Sequence, residues 1–99
     1  MPELTAARRK YLRGLAHQLK PLVLIGQKGV SKSLIEAVDD ALELHELIKL
    51  KFNDFKDEKA TLAKDIEANT HSEIVGMIGN VAIFYRQQPD RKKRKIQLP

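Results

Sequence analysis

The sequence contains no cysteine and no tryptophan, and it has only five glycines and four prolines. Without cysteine, disulfide frameworks, cysteine-ligated zinc and a thiol nucleophile are excluded, and the composition suits a reducing compartment. The longest uninterrupted apolar run, Val81–Tyr85, is far shorter than the roughly 18 residues that a membrane-spanning helix requires. The basic N-terminal stretch is not followed by an apolar secretory segment, so we expect a cytoplasmic protein.

The chain has 99 residues, of which 42% are hydrophobic, and this is enough for one small domain with its own core. Lys and Arg outnumber Asp and Glu by 18 to 13, which gives a net charge of +5. The positive charge is concentrated in residues 1–32 and 86–99, whereas residues 33–48 carry acids and no Lys or Arg. Segregated positive charge of this kind favours a polyanionic partner, and we expect a nucleic acid.

Apolar periodicity predicts the element order helix, strand, helix, strand, helix, strand, strand. This order indicates a single compact α/β (α+β-like) domain in which a four-stranded mixed sheet packs with three helices. The predicted helices are Thr5–Leu19, a second helix capped by Ser31, and Asp54–Asn69; the predicted strands are Leu22–Ile25, Leu47–Phe52, Ile74–Ile78 and Val81–Arg86.

Three further expectations concern the strands and the chain end. The wholly apolar Leu22–Ile25 is typical of a strand that is covered on both faces. Gly79 and Asn80 suit a two-residue hairpin turn. The folded domain is expected to occupy residues 1–88, and residues 89–99, with the basic run at 91–95, are expected to form a mobile tail.

The loop Gly26-Gln27-Lys28-Gly29 lies between a predicted strand and a predicted helix start. Glycine lets backbone approach a bulky ligand closely, and a helix N-terminus offers unpaired N–H groups and the positive end of the helix dipole. Lys28 and Lys32 would add mobile positive charge. The pattern suits a phosphate-binding loop, although a spaced glycine pair between a strand and a helix more often reflects ordinary turn geometry.

Other basic residues extend this candidate surface. A cationic face of the first helix carries Arg9 and Arg13, Lys20 follows it, and Lys49 and Lys51 share the polar face of a half-exposed strand. Basic side chains can also serve solubility alone. The residues predicted to contact nucleic acid are Gly26, Gln27, Lys28, Gly29, Lys32, Arg9, Arg13, Lys20 and Lys49.

Catalytic and metal-binding interpretations find little support in the sequence. The stretch from Gly26 to Ser33 nearly matches a nucleotide-triphosphate loop, but Ser31 stands where that motif needs glycine. His17, His45 and His71 lie on separate elements without ligand spacing, and no set of nucleophile, base and orienting group is evident. We therefore expect no enzyme, no metal and no cofactor.

The segment Leu12–Phe52, LRGLAHQLKPLVLIGQKGVSKSLIEAVDDALELHELIKLKF, closely resembles the CRM domain (chloroplast RNA splicing and ribosome maturation), in particular its stand-alone bacterial YhbY-type members. The most distinctive pieces are GLAHQLKP at 14–21, the GxxG loop at 26–29, HELIK at 45–49 and FYR at 84–86, and the ending RKIQLP at 94–99 also fits. The resemblance implies an αβαβαββ fold similar to the C-terminal domain of the third bacterial initiation factor. It also implies RNA binding through the GxxG loop and association with precursors of the large ribosomal subunit.

Two functional hypotheses follow. The first is a monomeric RNA-binding ribosome-assembly factor that holds RNA mainly by its phosphates. The alternative is a protein-interaction module of the assembly machinery that uses the acidic second helix and contacts RNA only secondarily. The monomer is expected because the sequence leaves no sizeable apolar surface unassigned.

Overall fold

The helices and strands follow the predicted order αβαβαββ in the computed structural model, which describes every residue from Met1 to Pro99. The predicted fold class, one α/β domain with three helices and a four-stranded mixed sheet, is confirmed. The helices are α1 (Ala6–Ala16), α2 (Lys32–His45) and α3 (Lys59–Thr70), and the strands are β1 (Val23–Ile25), β2 (Leu47–Phe52), β3 (Glu73–Ile78) and β4 (Val81–Tyr85).

Side-chain caps set the starts of the first two helices. The Thr5 hydroxyl accepts a hydrogen bond from the Arg8 N–H at 3.2 Å, and the Ser31 hydroxyl accepts one from the Leu34 N–H at 3.1 Å. Each cap satisfies one of the backbone donors that a helix leaves unpaired in its first turn. The predicted cap at Ser31 is confirmed.

The third helix begins at Lys59, five residues later than the predicted start at Asp54. The N–H groups of Asn53 and Asp54 both donate to the Ile25 carbonyl, at 3.0 and 3.1 Å, which ties this stretch to the end of β1. Phe55 then adopts a left-handed backbone conformation with φ 57°, which no α-helix accommodates. Long-range hydrogen bonds thus override the local helical pattern of residues 54–58.

The sheet has the strand order β1-β2-β4-β3. Strand β1 pairs in parallel with β2, and β4 pairs antiparallel with both β2 and β3. Ile78 pairs with Val81, so Gly79 and Asn80 form the predicted two-residue turn, with Gly79 at φ 58°. Strand β4 therefore lies between β2 and β3, and β1 and β3 form the two edges.

The sheet has two ends along the strand direction, which we call the loop end and the tail end. At the loop end, β1 and β2 finish and the segments 26–29, 53–58 and 79–80 lie together. At the tail end, β2 starts and β4 finishes, and Glu46 and residues 86–99 lie together. The two ends are about 17 Å apart along β2, at roughly 3.3 Å per residue.

Each face of the sheet has its own core. One cluster packs α2 and α3 against the sheet and includes Ile48, Leu50 and Phe52 of β2. The other packs α1 against the opposite face and includes Leu12, Leu47 and Tyr85, with Ile96 and Leu98 at its margin. Alternation along β2 places Lys49 and Lys51 on the α1 side of the sheet.

The expectation that β1 is covered on both faces is wrong. Val23 and Ile25 are buried against the α2 side, but Leu22 and Leu24 are each 55% exposed. Helix α1 packs across β3, β2 and β4 and leaves the α1 side of β1 uncovered. Tyr11, Leu15 and Leu19 of the α1 region are also exposed, so the apolar surface whose absence motivated the monomer prediction is present.

Within residues 89–99, which were predicted to form a mobile tail, several residues contact the rest of the domain. The buried Glu46 carboxylate accepts hydrogen bonds from the N–H groups of Gln88, Lys95 and Ile96, at 2.8, 2.7 and 2.9 Å. The side chains of Ile96 and Leu98 pack on the second core cluster. The charge-rich composition of this segment does not indicate that Ile96 and Leu98 pack on the core, or that the backbone at 95 and 96 donates to a buried carboxylate.

Tyr85 lies beside Glu46 in this tail-end network. Its side chain is fully buried, and its hydroxyl has no protein hydrogen-bond partner. Burial raises the pKa of Tyr85 to about 12, and the Glu46 carboxylate contributes in the same direction. The tail end therefore contains a phenol that loses its proton at a more alkaline pH than an ordinary tyrosine does.

Candidate nucleic-acid interface

The loop Gly26–Gly29 leaves β1 at the loop end as a tight turn. The Gly29 N–H donates to the Gly26 carbonyl at 3.0 Å, and the Ser31 N–H donates to the Gly29 carbonyl at 3.1 Å. Gln27 and Lys28 occupy the tip of this turn and are exposed. The predicted strand-to-helix loop is thus present, and Lys28 is exposed within it.

The two glycines of the loop differ in what they require. Gly29 has φ 64°, and a Cβ built on it would stand 3.3 Å from the Phe55 ring atom Cε2. Gly26 has no atom within 4 Å of such a Cβ and no left-handed backbone. Gly29 is needed for backbone conformation and for the approach of Phe55, whereas Gly26 leaves open space above the loop.

The N-terminus of α2 follows the loop directly. The N–H groups of Lys32 and Ser33 have no intrahelical acceptor because they belong to the first turn. An open depression of about 450 Å³ is shared by β1, the loop and the start of α2. It combines the N-terminal end of a helix dipole with the exposed Lys28, which suits an anion, and the exposed Lys32 begins α2 without lining the depression itself.

Lys49 and Lys20 both lie outside this loop. Lys49 is half-buried on the α1 side of the sheet, next to the exposed Lys51 and, through β1, near the exposed Leu22 and Leu24. Lys20 precedes β1 and lies at the tail end, where it lines an apolar groove of about 480 Å³ together with Lys95. The structure thus places Lys49 between the two ends and Lys20 away from the loop.

Arg9 and Arg13 have partners within the chain. The Arg9 guanidinium donates to the Ile74 carbonyl at 2.6 Å and pairs with the Glu73 carboxylate at 2.8 Å. Arg13 donates to the Val75 carbonyl at 2.9 Å, and its aliphatic stem crosses Gly76, where any Cβ would lie 2.8 Å from Arg13 Cδ. Edge strand β3 has an irregular register between Ile74 and Gly76, which leaves carbonyls for these arginines.

The acidic face of α2 is partly engaged as well. Arg86 pairs with Asp39 at 2.6 Å and with Glu43 at 3.4 Å, and it donates to the Thr70 carbonyl at 2.7 Å. Arg86 therefore joins α2, β4 and the end of α3. Two of the acids that the protein-interaction hypothesis would use already hold a cation of the same chain.

The loop end also contains an aromatic residue that the sequence pattern does not indicate. Phe55 is 42% exposed and its ring lies against Gly29. Residues 54–58 read as a helical pattern, and nothing local indicates that Phe55 would reach the loop. Its position follows from the hydrogen bonds to Ile25, which connect residues distant in sequence.

No group of His, Asp and Glu side chains is arranged to hold a metal ion, and none of the helices has the length and apolar character of a membrane span. His17, His45 and His71 belong to different parts of the chain, as their spacing in the sequence indicates.

Comparison with known proteins defines the class to which this fold and loop belong. Residues 4–86 match the model of the CRS1 / YhbY (CRM) domain. The chain belongs to the CRS1/YhbY (CRM) domain family, as the sequence resemblance implies.

Individual relatives cover nearly the whole chain. The Bacillus subtilis protein named "Probable RNA-binding protein YqeI" is 32% identical over 97% of this chain and 99% of its own length. A Haemophilus influenzae protein named "RNA-binding protein" is 33% identical over 100% of this chain and 98% of its own length. The solution structure of SAV1595 from Staphylococcus aureus, 38% identical, superposes with a TM-score of 0.80 over 98% of this chain and 100% of that one.

Proposed function

We propose that this protein binds RNA through its loop end and assists assembly of the large ribosomal subunit in the cytoplasm, as a binding protein without catalytic activity. Relatives over nearly the full length carry the name RNA-binding protein. The family resemblance of the sequence is the basis for the ribosomal target. The loop, Lys28 and Lys32 belong to one chain, so the proposed site needs no second copy.

The observation that carries the proposal is the exposed pair Lys28 and Lys32 beside backbone donors. Neither lysine takes part in an ion pair, whereas Arg9 and Arg86 do. A phosphate near Gly26–Gly29 would meet the first-turn N–H groups of α2 and both ammonium groups. Lys49 would extend the contact onto the sheet, and Gln27 at the loop tip would add a hydrogen bond. Arg9, Arg13 and Lys20, which were predicted to share the site, are outside the proposed centre because of their partners or their position.

The salt dependence of RNA binding by Lys28→Ala tests this site. Loss of one phosphate contact is expected to weaken binding and to flatten the slope of log K against log salt by about 0.7 to 0.9. Lys64→Ala, which removes one exposed charge from α3, is the matched control and should leave the slope unchanged. An unaltered slope and affinity for Lys28→Ala would remove the loop from the interface.

Nuclease treatment of a cell lysate tests the proposed association with the large ribosomal subunit through RNA. Release of the protein from large-subunit particles by nuclease is the expected result, because RNA would be its anchor. A complex that survives nuclease and moderate salt would instead favour the protein-interaction hypothesis through α2.

A further inference from the structure

Phe55 is the one aromatic side chain at the loop end that solvent reaches. Phe52, Phe84 and Tyr85 are fully buried, and Tyr11, the other exposed aromatic, lies on α1 beside the tail-end groove. Phe55 is 42% exposed. Packing in the core does not explain why this aromatic side chain is exposed beside the proposed phosphate site.

The backbone holds Phe55 in an unfavourable conformation. Its φ of 57° and ψ of 36° lie in the left-handed region, which a bulky residue rarely occupies. The hydrogen bonds of Asn53 and Asp54 to Ile25 on one side, and of the Glu58 N–H to the Phe55 carbonyl at 3.1 Å on the other, fix the segment. Strain of this kind is often retained at sites of function.

The ring is directed to the loop. Its Cε2 atom lies 3.3 Å from where a Cβ of Gly29 would stand, so one edge of the ring abuts Gly29 while much of the side chain stays open to solvent. Since Gly29 is the last residue of the Gly26–Gly29 turn, an RNA strand whose phosphate occupies the loop passes within reach of the ring.

Local charge restricts what Phe55 can contact. Asp54, Asp57 and Glu58 share its exposed segment, with Lys56 as the cation among them, and carboxylates repel phosphate. Lys28 and Lys32, which stand just before and three residues after Gly29 in the chain, are exposed and attract phosphate. The ring is therefore suited to the uncharged part of a nucleotide, the base.

We propose that Phe55 is a stacking surface for one unpaired nucleobase, and that the RNA at the loop end is single-stranded. This inference rests on the proposed RNA-binding function and adds to it the class of RNA. Bases in a duplex are already stacked and cannot lie on a side chain, whereas an unpaired base can stack on any aromatic ring with little sequence preference.

The test measures binding of two probes, a short oligouridylate and a duplex of the same length, to wild type, Phe55→Ala, Phe55→Leu and Phe55→Trp. We expect Phe55→Ala to weaken binding of the single strand by about 5- to 150-fold. Phe55→Leu, which keeps an apolar side chain without an aromatic face, should weaken it several-fold, and Phe55→Trp should retain it. The salt slope should not change, because no charge is removed. Thermal unfolding establishes that each variant is folded.

Three results would overturn the inference. Single-strand binding by Phe55→Ala and Phe55→Leu that equals wild type, with Lys28→Ala weakened, would leave the proposed function intact and exclude stacking. Equal losses for the single strand and the duplex would make Phe55 a support for the loop instead of a base contact. A wild-type protein that binds neither probe would overturn the RNA-binding proposal and the stacking inference together.

Discussion

At the tail end of the sheet, the charged side chains of Glu46 and Arg86 have partners within the chain, whereas at the loop end those of Lys28 and Lys32 have none. Glu46 holds three backbone N–H groups, and Arg86 joins two carboxylates and a carbonyl. Lys28 and Lys32 at the loop end have no ion-pair partner, and the Phe55 ring is exposed. Both ends are polar, but their groups are satisfied differently.

This difference suggests that the tail end contributes mainly to the stability of the fold and the loop end mainly to binding. A buried carboxylate must be hydrogen-bonded, because an unpaired buried charge is strongly unfavourable, so the tail end fastens residues 88–96 to the start of β2. Exposed lysines remain hydrated and contribute little to folding, and when they contact phosphates they displace the counterions condensed on the RNA. Changes at the two ends should therefore affect different measurements.

Glu46→Ala should produce the largest effect on stability. It leaves three N–H groups without their acceptor, one of them buried, and we expect the free energy of unfolding to fall by about 3 to 5 kcal/mol. Chemical denaturation measures this, with Glu36→Ala on the exposed face of α2 as the control, expected within about 0.5 kcal/mol of wild type. RNA affinity at a temperature where the variant is folded should be unchanged. A loss of RNA affinity in the folded variant would show that the two ends are not independent.

Tyr85 should make stability fall at alkaline pH. Its pKa is raised from 10.0 in the unfolded chain to about 12 in the fold. Both states are therefore protonated well below pH 10, and deprotonation of Tyr85 does not lower the free energy of unfolding there. As pH rises from 10 towards 12, the unfolded chain loses the proton first, and stability should fall by about 2 to 3 kcal/mol in total.

Tyr85→Phe is the control for this pH effect. It removes the titrating group together with a hydroxyl that has no protein partner, so stability at neutral pH should be equal to wild type or higher. Denaturation curves between pH 9 and 12 should show a smaller loss for the variant. Parallel curves for the two proteins would mean that Tyr85 does not titrate with folding.

Gly29→Ala should have the smallest of these effects on stability. A non-glycine residue at φ 64° costs about 1 to 2 kcal/mol, and the new methyl group would press on the Phe55 ring. Gly26→Ala is the matched control, because open space surrounds its position, and its unfolding should stay within about 0.5 kcal/mol of wild type. Equal destabilisation by the two changes would contradict the distinction between the two glycines.

Much of the fold could be predicted from local patterns, and the exceptions arise from long-range contacts. The cap at Ser31, the Gly79-Asn80 turn and the alternation of β2 each depend on a few neighbouring residues, and the structure contains all three. The start of α3 and the uncovered face of β1 depend on where Ile25 and α1 lie in the completed sheet. A pattern of apolar residues says that a strand is buried, but not which helix covers it.

The site was predictable to a lesser degree. Glycine spacing before a helix cap identified Gly26–Gly29 and Lys28 as one surface, and the structure places these residues in one depression, with Lys32 exposed at the start of the helix that follows. Helical periodicity grouped Arg9 and Arg13 on one cationic face of the first helix but could not reveal that β3 presents carbonyls to them. Phe55 was missed because its position depends on residues distant in sequence. The hydrogen bonds of Asn53 and Asp54 to Ile25 and the left-handed backbone of Phe55 together place its ring against Gly29.

Amide chemical-shift mapping with isotope-labelled protein and a short oligouridylate tests the central claim most directly. We expect the largest shifts on Gly26–Lys32 and around Phe55, with small changes in residues 86–99. Shifts confined to the basic run at 91–95 or to the acidic face of α2, with the amides of Gly26–Lys32 unmoved, would contradict it.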